Sequence, residues 1–108
     1  RGLAWSMKND FDRAIADFSE ALKINPRYAT AFINRGNAWK NNGNFARAIV
    51  DYTMTIEINP LAVAAYANRG VCYSLLDQSE LACLDFQKAC DLKRCDELKR
   101  AQEQNICQ

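Results

Sequence analysis

Phe32-Ile33-Asn34-Arg35-Gly36-Asn37-Ala38-Trp39, followed by Phe45-Ala46-Arg47-Ala48-Ile49-Val50-Asp51-Tyr52, is the stretch that decides the fold. The pattern returns 34 residues later as Tyr66-Ala67-Asn68-Arg69-Gly70-Val71-Cys72-Tyr73 and Ser79-Glu80-Leu81-Ala82-Cys83-Leu84-Asp85-Phe86. One period upstream stand Arg1-Gly2, Phe11-x-Arg13-Ala14-Ile15 and Asp17-Phe18. Asn25-Pro26 likewise recurs as Asn59-Pro60. A fixed period of this size marks stacked supersecondary units, none of which buries its apolar face alone. The whole chain therefore reads as one array.

Each full unit reads as two amphipathic helices. In the middle unit, Ala29 to about Asn42 carries Phe32, Ala38 and Trp39 on one apolar face. Asn42-Gly43-Asn44 interrupts it: glycine allows the positive φ of a helix end, and Asn44 can cap the next start. From Phe45, apolar Ala48, Ile49, Tyr52 and Ile56 follow at three- and four-residue spacing. Asn59-Pro60 ends that helix, because proline disfavours helical geometry in the residue before it. The same reasoning predicts helices near 1–8, 11–24, 29–42, 45–58, 63–76 and 79–92. Residues 77–80 resemble a capping box for the sixth. A last helix is predicted over about 96–106, with Asp96 as its cap and Leu98, Ala101 and Ile106 facing inward. Short links make successive helices antiparallel neighbours.

The balance of charge is even. Of the 108 residues, 14 are basic and 13 acidic, with a net charge of +1, and neither half of the chain departs far from neutrality. This argues against nucleic acid or an anionic membrane as partner. No apolar run approaches the ~18 residues of a membrane span, and no signal peptide is present. There is no histidine. The commonest general base, zinc ligand and pH switch are thus missing together. Ser6, Ser19, Ser74 and Ser79 have no histidine to activate them. The carboxylates fall at cap and ion-pair positions, and the four glycines are single, so neither an acid–base dyad nor a phosphate loop is present. No catalytic, cofactor-binding or metal residue is assigned, and no cofactor is implied.

These residues resemble the tetratricopeptide repeat, over essentially the whole chain. The family pattern sets an aromatic, a glycine and a second aromatic on the first helix, then alanine, aromatic and proline. The middle unit supplies Phe32, Gly36, Trp39, Ala48, Tyr52 and Pro60; the third supplies Tyr66, Gly70, Tyr73, Ala82 and Phe86. The first retains Gly2, Trp5, Ala14, Phe18, Ala21 and Pro26. The resemblance implies an all-α fold, a right-handed superhelical stack of antiparallel helix hairpins. It divides into a truncated repeat over 1–28, repeats over 29–62 and 63–95, and a capping helix over 96–108. The alternative for the last segment is the opening helix of a fourth repeat. Arg94 replaces the expected proline, and Ser79 the aromatic of Phe11 and Phe45.

One departure is systematic. Arg1, Arg35 and Arg69 stand where the family usually has leucine, and each has an aspartate sixteen residues on: Asp17, Asp51 and Asp85. In a hairpin turning near Gly43, Arg35 lies opposite Asp51, which predicts an interhelix ion pair in each unit with the arginine stem on apolar neighbours. The competing reading is a basic stripe that grips an acidic ligand; the repeated aspartate favours the structural one. Small Gly36 and Ala48 would let paired helices approach, with Trp39 and Tyr52 filling the wider gaps.

The five cysteines, Cys72, Cys83, Cys90, Cys95 and Cys107, all lie in the last third. No Cys-x-x-Cys pair suggests zinc. Buried apolar filler is the default reading for Cys72 and Cys83, and Cys90 with Cys95, around a helix end, is the most feasible bridge. The odd count slightly favours a reducing, cytoplasmic setting. The chain opens without methionine and in mid-repeat, which reads as a piece of a longer protein, so an exported or periplasmic location stays open.

What remains is a surface. The resemblance implies that the first helix of each unit lines a concave groove for a protein or peptide. Its stripe comprises Ile33, Asn34, Asn37, Lys40, Asn41, Ala67, Asn68, Val71, Ser74 and Leu75, with Leu3, Ser6, Met7, Thr30 and Ala64 toward its edges. Asn34 and Asn68, one period apart, could pair with the backbone of an extended peptide, or simply solvate the groove and tie to neighbouring helices. Family members that grip chaperone C-terminal carboxylates use lysines and an arginine where Leu3, Thr30, Ile33, Ala64 and Asn68 stand here, which argues against that ligand class. The expected function is a non-catalytic protein- or peptide-binding scaffold. The alternatives are a homo-oligomerisation module, with an apolar edge near Leu3 and Phe18, a regulatory segment of a larger enzyme, and a redox or metal role for the cysteines.

Overall fold

A computed structural model describes residues 2–107, with side chains described from Phe11 to Cys107. Within them lie six helices and no strand: α1 Gly2–Ile24, α2 Ala29–Asn41, α3 Phe45–Ile58, α4 Val63–Leu75, α5 Ser79–Asp91 and α6 Asp96–Glu103. Each packs on the next in chain order, and α2 also touches α4. The fold is an all-α superhelix of stacked hairpins. The first helices of hairpins α2/α3 and α4/α5 are thus brought side by side.

Two kinds of stop signal alternate along the chain. At Gly43 the φ is +85°, and the Asn44 amide bonds back to the Trp39 carbonyl while Gly43 N–H bonds to Lys40. This is the Schellman arrangement, in which one left-handed residue satisfies the last carbonyls. Asp77 (φ 60°), Lys93 (φ 84°) and Asn105 (φ 62°) close α4, α5 and α6 in the same way. Between units, α1 and α3 end instead at Asn25-Pro26 and Asn59-Pro60. The Asn25 and Asn59 side chains accept the amides of Arg27 and Leu61 at 3.2 Å. Proline lacks the N–H that would continue the helix. Where proline is replaced by Arg94, the left-handed Lys93 takes over the stop.

Three sequence expectations need correction here. The break expected between helices near 1–8 and 11–24 is absent, and α1 is continuous. Continuing the helix through these residues keeps the backbone bonds that a break would give up. The capping box at 77–80 does not form. Gln78 is the N-cap and makes no side-chain cap bond, because Ser79 already lies inside the helix. Helix α6 ends at Glu103, since Asn105 reverses the chain, and its N-cap is Cys95 in place of Asp96. Asn44 does cap α3, accepting the Arg47 amide at 3.3 Å.

The core follows the period. Ala48, Tyr52, Ala65 and Cys72 cluster between the two complete hairpins, and Ala82, Phe86, Leu98, Ala101 and Cys107 cluster between α5 and α6. Gly36 and Gly70 have no room for a larger residue. A Cβ on Gly36 would stand 2.9 Å from the Tyr52 ring, and one on Gly70 2.6 Å from the Phe86 ring. Glycine here is a matter of close approach, not of backbone freedom.

The cysteines depart most from expectation. Cys72 is buried and free, as read from the sequence. Cys90 and Cys95 are bridged around the end of α5. Cys83 is not filler: it is bridged to Cys107, with Cα atoms 5.6 Å apart. The turn at Asn105 brings the tail back against α5, and helical periodicity alone gives no hint of that return.

Candidate groove on the first helices

Both arginine–aspartate pairs within the described residues form as predicted. Arg35 Nε and Nη2 each donate to Asp51 at 2.8 Å, and Arg69 donates to Asp85 at 2.8 and 2.7 Å. The aspartates are 2% and 5% exposed, and the arginines sit over Phe32 and over Tyr66 and Tyr73. The hydrogen bonds they donate to Asp51 and Asp85 hold the guanidiniums above their ordinary pKa, against the opposing cost of burial. The third nitrogen of each arginine reaches backwards. Arg35 Nη1 donates to Ser19 and Arg69 Nη1 to Thr53, both at 3.1 Å. Each arginine thus joins three helices and fixes one hairpin against the preceding one. These cations are spent inside the stack and do not form a basic stripe. The Arg1–Asp17 pair lies outside the described side chains.

That anchoring positions the candidate groove. Ile33 and Val71 are half-buried and rest on the core clusters, forming its floor. Asn34, Lys40, Asn68 and Ser74 are half-buried, and Asn41 and Leu75 are exposed. Ala67 is a correction: it is fully buried against Tyr66 and Ala89, too short to reach the surface that longer Ile33 reaches one period earlier. Leu3, Ser6 and Met7 lie outside the described side chains.

A polar network ties α2 to α4 across this floor. Asn37 Oδ1 accepts from the Tyr52 hydroxyl and, at 3.2 Å, from the Asn68 amide; Asn68 Oδ1 accepts from Lys40 Nζ at 3.3 Å. Asn68 is thereby engaged on both its oxygen and its nitrogen. Of the two sequence readings of Asn68, a hydrogen bond to a guest backbone or a tie to a neighbouring helix, the structure shows the tie, made to Asn37 and Lys40 of α2. The diagonal follows from adjacent first helices meeting at offset positions, a relation the period alone hides. Burial raises the Tyr52 pKa, so its hydroxyl stays a donor. The Asn34 carboxamide and the Asn37 amide nitrogen have no hydrogen-bond partner among the described residues. Burial pushes the Cys72 thiol up to about 11, which keeps it unreactive beneath the floor.

At its far end the groove runs into a cleft of about 100 Å³ between α4 and α6, lined by Val71, Ser74, Phe86, Glu97, Arg100 and Gln104, among others. Among the described residues no cluster of ligating side chains could hold a metal, and no helix is long and apolar enough to cross a membrane.

A stack of helical hairpins with an open polar and apolar stripe defines a repeat protein of the kind that generally serves protein–protein interaction. Tetratricopeptide repeat models match residues 7–43, 29–60 and 63–94, and the chain belongs to that family. Among solved structures, the Arabidopsis OM64 TPR domain is similar at 28% identity and a TM-score of 0.82, over 96% of this chain and 87% of that one. MamA is similar at 30% identity and a TM-score of 0.76, over 94% of this chain and 57% of that one. The first repeat domain of Spaghetti (RPAP3), solved with the Hsp90 peptide SRMEEVD, shares the fold at 21% identity and a TM-score of 0.82, over 94% and 82% of the two chains. None of the curated protein sequences compared with the chain matches it.

Proposed function

We propose that this chain is a non-catalytic scaffold whose groove, floored by α2 and α4, seats an extended or helical segment of another protein. The observation that carries this reading is the continuous stripe from Ile33 to Leu75, braced by the Asn37–Asn68–Lys40 network. The bracing makes the groove preformed, so a guest does not have to order it. Asn34 and the Asn37 amide supply hydrogen bonds to a backbone, and Ile33 and Val71 supply apolar contact. Lys40 is the only charged member of the stripe from Ile33 to Leu75. That suits a largely uncharged segment better than an acidic C-terminus.

The test is selection of peptides from a random library, followed by NMR mapping of the bound site. Shifts are expected on α2 and α4. Asn34→Ala should weaken a selected peptide by up to about tenfold, the worth of one hydrogen bond. Shifts confined to α3 and α5 would reject the groove.

A second reading, self-assembly, is favoured by Leu75, Leu76, Leu81 and Leu84, which are 55%, 40%, 42% and 67% exposed around the α4–α5 turn. Their counterparts one period earlier are Asn41, Asn42, Arg47 and Val50. Light scattering across concentration separates the two: self-association that Leu84→Glu abolishes would support this reading, and a monomer at all concentrations would exclude it.

A further inference from the structure

Two disulfides and the shortest helix occupy the same end of the molecule. Cys83 and Cys90 are seven residues apart on α5 and so leave the same face of it. Cys90–Cys95 closes the turn into α6, with Cα atoms 4.0 Å apart. Cys83–Cys107 returns the chain beyond α6 to the start of α5. Helix α6 is therefore fastened to α5 at both ends. Between the fastenings it holds on weakly. It has eight residues, of which Leu98 and Ala101 are buried. A helix of that length does not sustain itself in water. Against α4 it leaves the cleft lined by Val71 and Ser74 on one side and by Arg100 and Gln104 on the other.

The position of α6 in the period sharpens the point. Asp96–Glu103 falls where the first helix of a further unit would begin, one period after Val63. Yet Glu103 stands where Arg35 and Arg69 predict an arginine, so the three-helix joint made by those residues cannot be repeated. Covalent bonds hold α6 where side-chain chemistry holds the earlier helices.

We propose that the paired bridges form a redox latch. Oxidised, they hold α6 as the end wall of the groove; reduced, they release it and uncover Phe86 and Val71. Each bridge opens by thiol–disulfide exchange with a low-molecular-weight dithiol. One thiolate attacks a bridge sulfur and forms a mixed disulfide, and the second thiolate then displaces the protein sulfur. The dithiol leaves as a cyclic disulfide, having given up two electrons and two protons, and the bridge becomes two thiols. Cys83, Cys90 and Cys95 are each partly exposed, so a dissolved dithiol reaches both bridges. Buried Cys72 takes no part. The effect on the groove rests on the scaffold function proposed above, whereas the latch does not.

Hydrogen exchange read by mass spectrometry tests it, with and without dithiothreitol and with thiols counted in denaturant. The expected count rises from one to five. Exchange over 96–107 should accelerate by about tenfold or more while 29–58 stays protected, as befits a local opening. The quadruple variant Cys83→Ser, Cys90→Ser, Cys95→Ser, Cys107→Ser should show the fast pattern without reductant, which separates the latch from any other action of the dithiol. Five thiols in the air-oxidised protein, or unchanged exchange over 96–107 once five thiols are counted, would overturn the latch. For a peptide selected on the oxidised form, affinity that falls on reduction extends the latch to the groove. Unchanged affinity would cut that link and leave the exchange result standing.

Discussion

The hairpins α2/α3 and α4/α5 are built on one skeleton and dressed differently. Both have a bidentate arginine–aspartate pair, a glycine under an aromatic ring and a backward bond to a hydroxyl on the preceding unit. They part company at the turn, on the outer face and at the exit. Gly43 becomes Asp77; Asn41, Asn42 and Arg47 become leucines; and Asn59-Pro60 becomes Lys93-Arg94, spanned by both disulfides. The shared features all lie at joints between helices, where geometry leaves one solution. The divergent ones lie where a side chain meets water or where the stack ends. The joints thus specify the fold, and the outer face and exit are where this array can differ from others of its kind.

If the two skeletons are equivalent, breaking them should cost the same. Asp51→Ala and Asp85→Ala each leave a largely buried guanidinium unpaired and should destabilise by about 3 kcal/mol. Urea denaturation checks both, and a gap above ~1 kcal/mol would show that the joints are not equivalent. The exit should behave as the third hairpin's own device. Removing Cys83–Cys107, which closes a separation of 24 residues, should cost about 3 kcal/mol, and removing Cys90–Cys95 about 2 kcal/mol. Both losses should appear in α5 and α6 and spare α2/α3. The glycines sharpen the comparison further. Gly70→Ala should cost about 2 kcal/mol, more than Gly36→Ala, because its new Cβ would meet the Phe86 ring at 2.6 Å and also the Ala82 carbonyl at 3.2 Å. Equal losses would mean that Phe86 swings aside as easily as Tyr52.

What the sequence disclosed divides along the same line. The hairpins, the glycine contacts and the arginine–aspartate pairs were legible because each relation repeats with the period, so two copies vouch for one geometry. Cys83–Cys107 occurs once, and it depends on a chain reversal at Asn105 that no second copy announces. The groove was legible only as a set of positions. Ile33 and Ala67 share a register, yet Ala67 is buried because a methyl cannot reach past Tyr66 and Ala89. Asn68 was open to two readings, a ladder with Asn34 for a peptide or a tie to a neighbouring helix; it makes the tie, and its partners Asn37 and Lys40 are not given by the period, since the contact runs between helices of neighbouring units. Register names which residues share a face; side-chain length and the neighbouring unit decide which of them reach a guest.

The smallest expected effect tests the turn. Gly43 and Asp77 hold the same left-handed position, with φ of +85° and 60°. An aspartate there carries strain that glycine does not, on the order of 1 kcal/mol, although glycine returns part of this as greater freedom in the unfolded chain. Asp77→Gly should therefore stabilise by a few tenths to about 1 kcal/mol, and Gly43→Asp should destabilise by a similar amount. Opposite signs in thermal denaturation would show that the two turns are interchangeable and that Asp77 is tolerated rather than required. A loss of stability in Asp77→Gly would mean that the Asp77 side chain makes a stabilising interaction of its own, and the two hairpins would then differ at a joint as well as on their surface.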